Sequence, residues 1–153
     1  TGFADALTSG AAAIKHEKSV VLFDNTSPST KQFLAQRSID AVGGAAVRAV
    51  SRAGIHADRN IVGQDRYETG KLVCLNYFQP TETIYIALGT NYPDGLATSV
   101  LSAKNDAPLL LSKQSLPPAT TSVIQSGFGS KKVYFVSGPA LISFAADNLI
   151  TQL

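Results

Sequence analysis

The chain has 153 residues, of which 44% are hydrophobic and 16% are charged. This composition supplies enough apolar residues for a core and excludes a disordered chain, which combines low hydrophobicity with high net charge. The net charge of +2 arises without a basic block, and no apolar run is long enough to cross a bilayer. We therefore expect a globular protein with no membrane span and no nucleic-acid partner.

The first third of the chain predicts helices that alternate with short strands. We expect a helix from about Asp5, a strand over residues 19–23, a helix after Pro28, a strand over 39–42 and a helix over 45–53. The first strand contains an apolar Val-Val-Leu run, and such short runs between polar segments are typical of buried strands.

The rest of the chain predicts three strands, each followed by a helix. The strands cover residues 83–88, 108–111 and 132–136. The helices begin at Asp94, a good N-cap, then behind Ser115 with prolines in the first turn, and finally at Ser143. Near-continuous apolar strands between helices indicate a parallel sheet covered on both faces. The predicted fold class is α/β, built as small three-layer, doubly wound modules with a mainly parallel sheet.

The chain also contains an internal repeat. Asp5-Ala6-Leu7 returns as Asp94-Gly95-Leu96, and the same alignment places residues 20–22 on residues 109–111. Further on, after a small length difference, residues 42–44 align with residues 136–138. A repeat of this length indicates two small modules rather than the turns of a solenoid.

This repeat predicts two domains. Residues 1–58 form a truncated first repeat and residues 59–153 form a second, nearly complete repeat. The first repeat lacks a counterpart of residues 61–88, so we expect the chain to be part of a longer tandem array. A sheet that lacks a strand has an open edge, and open edges pair with other chains. We therefore predict self-association.

The most specific string lies at the start of the second repeat. It reads Gly63-x-Asp65-Arg66-Tyr67-x-Thr69, and an amphipathic helix and a strand follow it. Next come an Asn-x-Pro-Asp-x-Leu segment over residues 91–96 and a Pro-x-Leu-Leu type segment over 108–111. This order resembles the cell wall binding repeat 2 family. The chain departs from the family pattern at Gly95, where alanine is usual, and at Ser137, where glycine is usual.

The resemblance implies a non-catalytic module that occurs in tandem, usually as three copies. Such modules hold exported proteins of Gram-positive bacteria on the cell wall, and they are attached to murein hydrolases, surface-layer proteins or adhesins. The implied location is extracellular, and the implied ligand is an anionic secondary wall polymer that is bound non-covalently. Neighbouring repeats of the same protein are the other expected partners.

Two sets of residues are candidates for function or structure. Arg66 heads the polymer-binding set because its guanidinium can grip phosphate or carboxylate in two places. An internal ion pair of Arg66 with Asp65 or Asp94 is the alternative. The full polymer-binding set is Arg66, Asn91, Asp94, Lys113 and Ser137. The signature residues expected to be structural are Gly63, Asp65, Tyr67, Thr69, Asp5, Gly43, Gly44 and Gly138.

The sequence contains only weak indications of a catalytic or cofactor-binding site. Asp5 and Asp94 each precede a predicted helix, so N-capping accounts for them better than a catalytic carboxylate pair. His16 and His56 lack partners at metal-ligand spacing, and no nucleotide-binding fingerprint is complete. We expect no catalytic residue, metal or cofactor, and we expect Cys74 to be a buried apolar side chain. A small α/β enzyme or nucleotide-binding domain, and a purely structural spacer, are the alternative functions.

Overall fold

The structure is a computed structural model, and it describes residues 3–90 and 92–136. The predictions for Asn91, for Ser137 and Gly138, and for the last helix from Ser143 fall outside these residues. The described elements, in chain order, are α1 Phe3–Lys15, α2 Pro28–Ala35, β1 Asp40–Val42, α3 Gly44–Arg52, β2 Arg59–Ile61, α4 Arg66–Tyr77, β3 Thr83–Leu88, α5 Tyr92–Lys104, β4 Leu109–Ser112, α6 Pro118–Gln125 and β5 Lys132–Val136.

The second repeat is built around a parallel sheet with the strand order β4-β3-β5. Strand β3 is central, and its Ile84 and Ile86 side chains are 0% and 1% exposed. They join α4 and α6 in the larger core cluster, whereas Tyr85 and Ala87 point to the opposite face and pack with Leu109. Helix α5 packs on β3, and Tyr85 Oη accepts a hydrogen bond from Asn105 just beyond α5. The predicted α/β fold with parallel strands is confirmed.

A second parallel sheet joins the two predicted repeats. Strand β1 of the first repeat pairs with β2, with Asp40 opposite Arg59 and Val42 opposite Ile61. The sequence did not predict β2, which has three residues and a single buried side chain. Since both strands run in the same direction, their carboxyl ends lie at one edge of this sheet.

Helix α1 packs against the second repeat rather than only against its own. Its principal neighbours are α5 and α4, and its buried side chains are mostly small. Leu7 lies against Gly95, where an added Cβ would sit 2.7 Å from Leu7 Cδ1. Gly70 of α4 makes a similar close approach to Thr8. The departure from the family pattern at Gly95 thus has a packing reason, because the leucine occupies the space of the usual alanine methyl group.

The predicted strand over residues 19–23 is wrong, because residues 18–24 contain no helix or strand. Val20, Val21 and Leu22 are 45%, 41% and 61% exposed. Their counterparts in β4 are buried because they pair with β3. Among the described first-repeat residues no strand occupies the place of β3, so this apolar run has no neighbour with which to form a ladder.

Cys74 is buried in α4, as predicted, with 1% of its surface exposed. Removal of the thiol from water raises its pKa to about 12. The thiolate is the reactive form of cysteine, so Cys74 is a packing residue rather than a nucleophile.

Candidate functional site

The signature string forms the capped start of α4. Asp65 is the N-cap, and its Oδ1 accepts hydrogen bonds from the backbone N–H groups of Tyr67 at 2.9 Å and Glu68 at 2.8 Å. Glu68 returns a bond, because its Oε2 accepts from the Gln64 backbone N–H at 2.7 Å. These reciprocal contacts satisfy N–H groups that a helix start leaves unpaired. The start of α4 is therefore fixed in position.

Gly63 and Thr69 complete this cap. The Gly63 N–H donates to Thr69 Oγ1 at 3.1 Å, and the same hydroxyl donates to the Asp65 carbonyl oxygen at 3.0 Å. A Cβ on Gly63 would lie 2.5 Å from the Thr69 backbone nitrogen and 2.6 Å from the Glu68 carbonyl carbon. A Cβ at position 63 would clash with the backbone of α4. Backbone atoms cannot swing aside as a flexible side chain can, so the loop can approach the helix this closely only with glycine at this position.

The cap positions Arg66 over the end of β3. Arg66 is exposed, and its Nη1 donates to the carbonyl oxygen of Gly89 at 2.5 Å. The Gly89 N–H donates in turn to the carbonyl oxygen of Ser112, the last residue of β4, at 2.7 Å. Tyr67 is half-buried against the same glycine, with its Cε1 atom 3.0 Å from the place of a Gly89 Cβ. Gly89 is thus the point where the signature helix and the central strand meet.

The first repeat contributes a carboxylate to the same region. Asp5 is half-buried, and its Oδ2 would lie 2.1 Å from a Cβ on Gly43. Gly43 directly precedes α3 and has a φ of +86°, a backbone conformation that favours glycine. The close approach of Asp5 also leaves no room for a Cβ, so both the backbone and the packing require glycine here. Burial raises the pKa of Asp5, and the positive charge of Arg66 counteracts part of this effect. The Asp5 carboxylate and the Arg66 guanidinium therefore attract each other.

These residues are linked by contacts: Asp5 lies against Gly43 and is close enough to Arg66 for their charges to interact, and Arg66 donates to Gly89. Gly89 in turn donates to Ser112, the residue before Lys113. Gly43 follows β1, Gly89 follows β3, and the exposed Lys113 follows β4. Ligands of open α/β sheets bind beyond the carboxyl ends of the strands. We call the surface formed by Asp5, Gly43, Arg66, Gly89 and Lys113 the carboxyl-edge site.

The structure revises one sequence interpretation. Asp5 and Asp94 lie inside the first turns of α1 and α5 instead of preceding these helices, so neither is the N-cap residue. Their negative charges still lie near the positive end of a helix. Arg66 donates a hydrogen bond to the backbone carbonyl oxygen of Gly89, just after β3, and the Asp65 carboxylate caps α4. Gly44 is the first residue of α3.

Two features of this region were missed from the sequence. Gly89 has no side chain and gave no signal of its role as acceptor for Arg66. The exposed rings of Phe3 and Tyr92 stack with their centroids 6.0 Å apart. These two aromatic residues occupy equivalent positions in the repeat alignment, three places before Ala6 and Gly95, and that coincidence could have revealed the pair.

The chemistry available to the carboxyl-edge site is ionic and hydrogen-bonding. Within residues 3–90 and 92–136, no group of three His, Cys, Asp or Glu side chains is arranged to hold a metal ion. In the same part of the chain, no helix is both long enough and apolar enough to cross a membrane. The site contains two exposed basic residues, Arg66 and Lys113, and the half-buried acidic residue Asp5.

Comparisons with known proteins agree with this architecture. The chain is similar to the solved structure of Cwp8 from Clostridium difficile, with a TM-score of 0.68 and 20% identity over 96% of this chain and 28% of that chain. It is also similar to Cwp6 from Clostridium difficile, with a TM-score of 0.70 and 17% identity over 94% of this chain and 25% of that chain. The chain therefore spans about a quarter of the length of these proteins. A search of curated proteins found no match.

The fold and the site define a parallel α/β repeat domain with a charged edge. The family model for cell wall binding domain 2 (CWB2) matches residues 60–146, which is more than half of the chain. The chain belongs to this family of cell wall binding domains, and the resemblance found in the sequence is confirmed.

The close approach at Gly63 predicts that Gly63→Ala lowers the free energy of unfolding by about 1–3 kcal/mol, the usual cost of overpacking. Gly44→Ala is the matched control, because the nearest atom to its new Cβ is the mobile Arg48 Nη1 at 3.1 Å. We expect the control to change stability by less than about 0.5 kcal/mol. Urea denaturation followed by circular dichroism measures both. Equal effects of the two substitutions would contradict the account of the cap.

The raised pKa of Asp5 predicts how the stability of the fold changes with pH. Ionised Asp5 destabilises the fold, in full above its raised folded-state pKa, and this cost shrinks as the pH falls from that value towards the unfolded pKa of 3.8. Asp5→Asn should therefore raise the urea midpoint at pH 7, with a gain that shrinks towards pH 4.

Asp24 provides a control of opposite sign. Its pKa is lowered by hydrogen bonds from the Thr26 side chain and backbone, so its ionised form is favoured in the folded state. Asp24→Asn should lower the midpoint at pH 7 and lose this effect on acidification. A destabilising, pH-independent effect of Asp5→Asn would contradict the assignment of burial as the cause.

Proposed function

We propose that this chain is a non-catalytic module that anchors its protein to the cell wall of a Gram-positive bacterium. Membership of the cell wall binding domain 2 family supports a wall partner. The ligand we propose is an anionic secondary wall polymer, bound without covalent chemistry at the carboxyl-edge site. The single observation that carries the choice of ligand is the exposed, pre-positioned guanidinium of Arg66.

Arg66 is suited to an anionic ligand because its side chain is already partly fixed in the folded protein, which reduces the conformational entropy lost on binding. One of its nitrogens, Nη1, is held by Gly89, so the orientation of the planar guanidinium is set before a ligand arrives. Its remaining donors can address a phosphate or carboxylate in the forked geometry that arginine favours. Lys113, at the end of the neighbouring strand β4, adds a second cation on the same edge.

The negative charge of Asp5 weakens the attraction of this site for an anionic ligand. Its carboxylate offsets part of the positive field of Arg66, and its half-buried position keeps it from turning away into solvent. A single site of this kind binds weakly and remains sensitive to salt, because exposed charges are screened within about 8–10 Å at physiological ionic strength. Weak sites suit a repeating polymer, because several linked sites raise the effective concentration of each contact.

In this proposal Asp94, Asn91 and Ser137 also belong to the set of residues that bind the polymer. Asp94 aligns with Asp5 and lies in the first turn of α5. The protein to which the module belongs would be extracellular and attached to the wall, with the effector function in another part of the polypeptide.

Wall co-sedimentation tests the proposal. The chain should sediment with purified Gram-positive cell wall at low salt and be released as salt rises. Arg66→Ala should reduce retention by roughly three- to tenfold, in line with the loss of one solvent-exposed hydrogen-bonding contact of about 0.7–1.4 kcal/mol. Lys113→Ala should act in the same direction with a smaller effect, because lysine binds as a single point charge.

Lys132→Ala is the matched control, because it removes the same charge from an exposed residue at the opposite end of the sheet, where β5 begins. It should leave retention within twofold. Acid extraction of the secondary polymer should abolish sedimentation of all variants. Equal retention before and after extraction would refute the anionic-polymer ligand, and equal losses for Arg66→Ala and Lys132→Ala would refute the site.

A further inference from the structure

Tyr67 lies beside Arg66 at the carboxyl-edge site. The two residues directly follow the Asp65 N-cap, so both side chains leave the chain in the first turn of α4. Both also reach the same glycine, because the position of a Cβ on Gly89 is 3.0 Å from Tyr67 Cε1 and 3.3 Å from Arg66 Cδ. Since both atoms lie this close to one point, the tyrosine ring and the arginine side chain are neighbours.

The ring of Tyr67 is packed on Gly89, whereas its hydroxyl is in contact with solvent. Tyr67 is half-buried. Within residues 3–90 and 92–136, no residue forms a hydrogen bond with this hydroxyl, and no buried side-chain oxygen or nitrogen lacks a partner. The hydroxyl oxygen is therefore not buried. Because Cε1 is bonded to the carbon that carries the hydroxyl, this oxygen also lies near Gly89 and Arg66.

Gly89 joins this pair of side chains to the end of β4. Its N–H donates to the carbonyl oxygen of Ser112 at 2.7 Å, and its own carbonyl oxygen accepts from Arg66 Nη1 at 2.5 Å. The exposed Lys113 follows Ser112. The carboxyl-edge site thus has a solvent-accessible hydroxyl beside the arginine side chain, with a second basic residue at the end of the next strand.

A hydroxyl in this place adds a second kind of contact to the site. Arginine and lysine only donate hydrogen bonds and are suited to the anionic group itself. The tyrosine hydroxyl both donates and accepts, so it can pair with a sugar hydroxyl next to that anionic group. A site that positions a hydrogen-bonding group for a hydroxyl discriminates against ligands that lack one.

We propose that Tyr67 determines specificity at the carboxyl-edge site, with its hydroxyl bonded to a hydroxyl group of the sugar whose anionic group Arg66 holds. This inference rests on the proposed function and narrows its ligand. The bound unit is a sugar that carries a phosphate or carboxylate, rather than an isolated anion. The sugar therefore contributes to the selection of the polymer together with its charge.

The test measures binding of small probes to the isotope-labelled full chain by nuclear magnetic resonance titration. The probes are glucose 1-phosphate and glucuronate, with inorganic phosphate and acetate as the matching anions without a sugar. We expect at least one sugar probe to bind more tightly than its matching anion, and the tighter sugar probe identifies the preferred anionic group. Tyr67→Phe should weaken binding of that sugar by about three- to tenfold, as for the loss of one hydrogen bond. It should leave binding of the matching anion within twofold.

Tyr134→Phe is the matched control. It removes the hydroxyl of a tyrosine that is 44% exposed and lies opposite Tyr85, near the start of β3 rather than its end. This variant should leave all four affinities within twofold. Tyr67→Phe keeps the ring that packs on Gly89, so its urea midpoint should equal that of the unchanged chain.

The outcomes separate this contact from the proposed function. Equal sugar affinities of the unchanged chain and Tyr67→Phe, or an equal loss for sugar and anion, would overturn the role of Tyr67 and leave Arg66 as the anion site. A shifted urea midpoint without a change in sugar affinity would show that Tyr67 is only structural. No response at Arg66 to any of the four probes would overturn the anionic site itself, and the Tyr67 contact with it.

Discussion

The parallel pairing of β3 with β4 on one side and β5 on the other is the constraint on which the second repeat depends. Because β3 is central, its side chains are covered on both faces, and its alternating residues build two separate core clusters. Helices α4 and α6 close one face and α5 packs over the strand from the other. The first repeat shows the converse. An apolar segment, residues 19–23, stays irregular, and its Val20, Val21 and Leu22 are exposed; among residues 3–90 and 92–136 no strand pairs with it.

The end of the same strand positions the carboxyl-edge site. Gly89 terminates β3 with a carbonyl that accepts from Arg66, and the cap built by Gly63, Asp65 and Thr69 holds α4 so that this bond can form. Packing of α1 on the second repeat then brings Asp5 into the field of Arg66. The site therefore depends on contact between repeats as well as on the signature string. In such an arrangement a single module supplies only part of the carboxyl-edge site that we propose for binding.

The sequence predicted most of the architecture because its main signals are local. Apolar runs marked β3, β4 and β5, and the prolines marked the start of α6. The strand over residues 19–23 was wrong because an apolar run becomes a strand only if a partner is present, which no local pattern reports. Strand β2 was too short to be recognised. The neighbourhood of Asp5 and Arg66 also escaped prediction, because it depends on how α1 crosses from one repeat to the other.

The claim that an anionic wall polymer binds at the carboxyl-edge site can be tested most directly by nuclear magnetic resonance. Backbone amide shifts of the isotope-labelled chain would be followed during titration with purified, soluble secondary wall polymer. We expect the largest changes at Gly43, Arg66, Gly89 and Lys113, with reversal at high salt. Residues at the opposite end of the sheet, Glu82 and Lys132, should change little. Changes that cluster at Glu82 and Lys132, or the absence of any change at saturating polymer, would contradict the account.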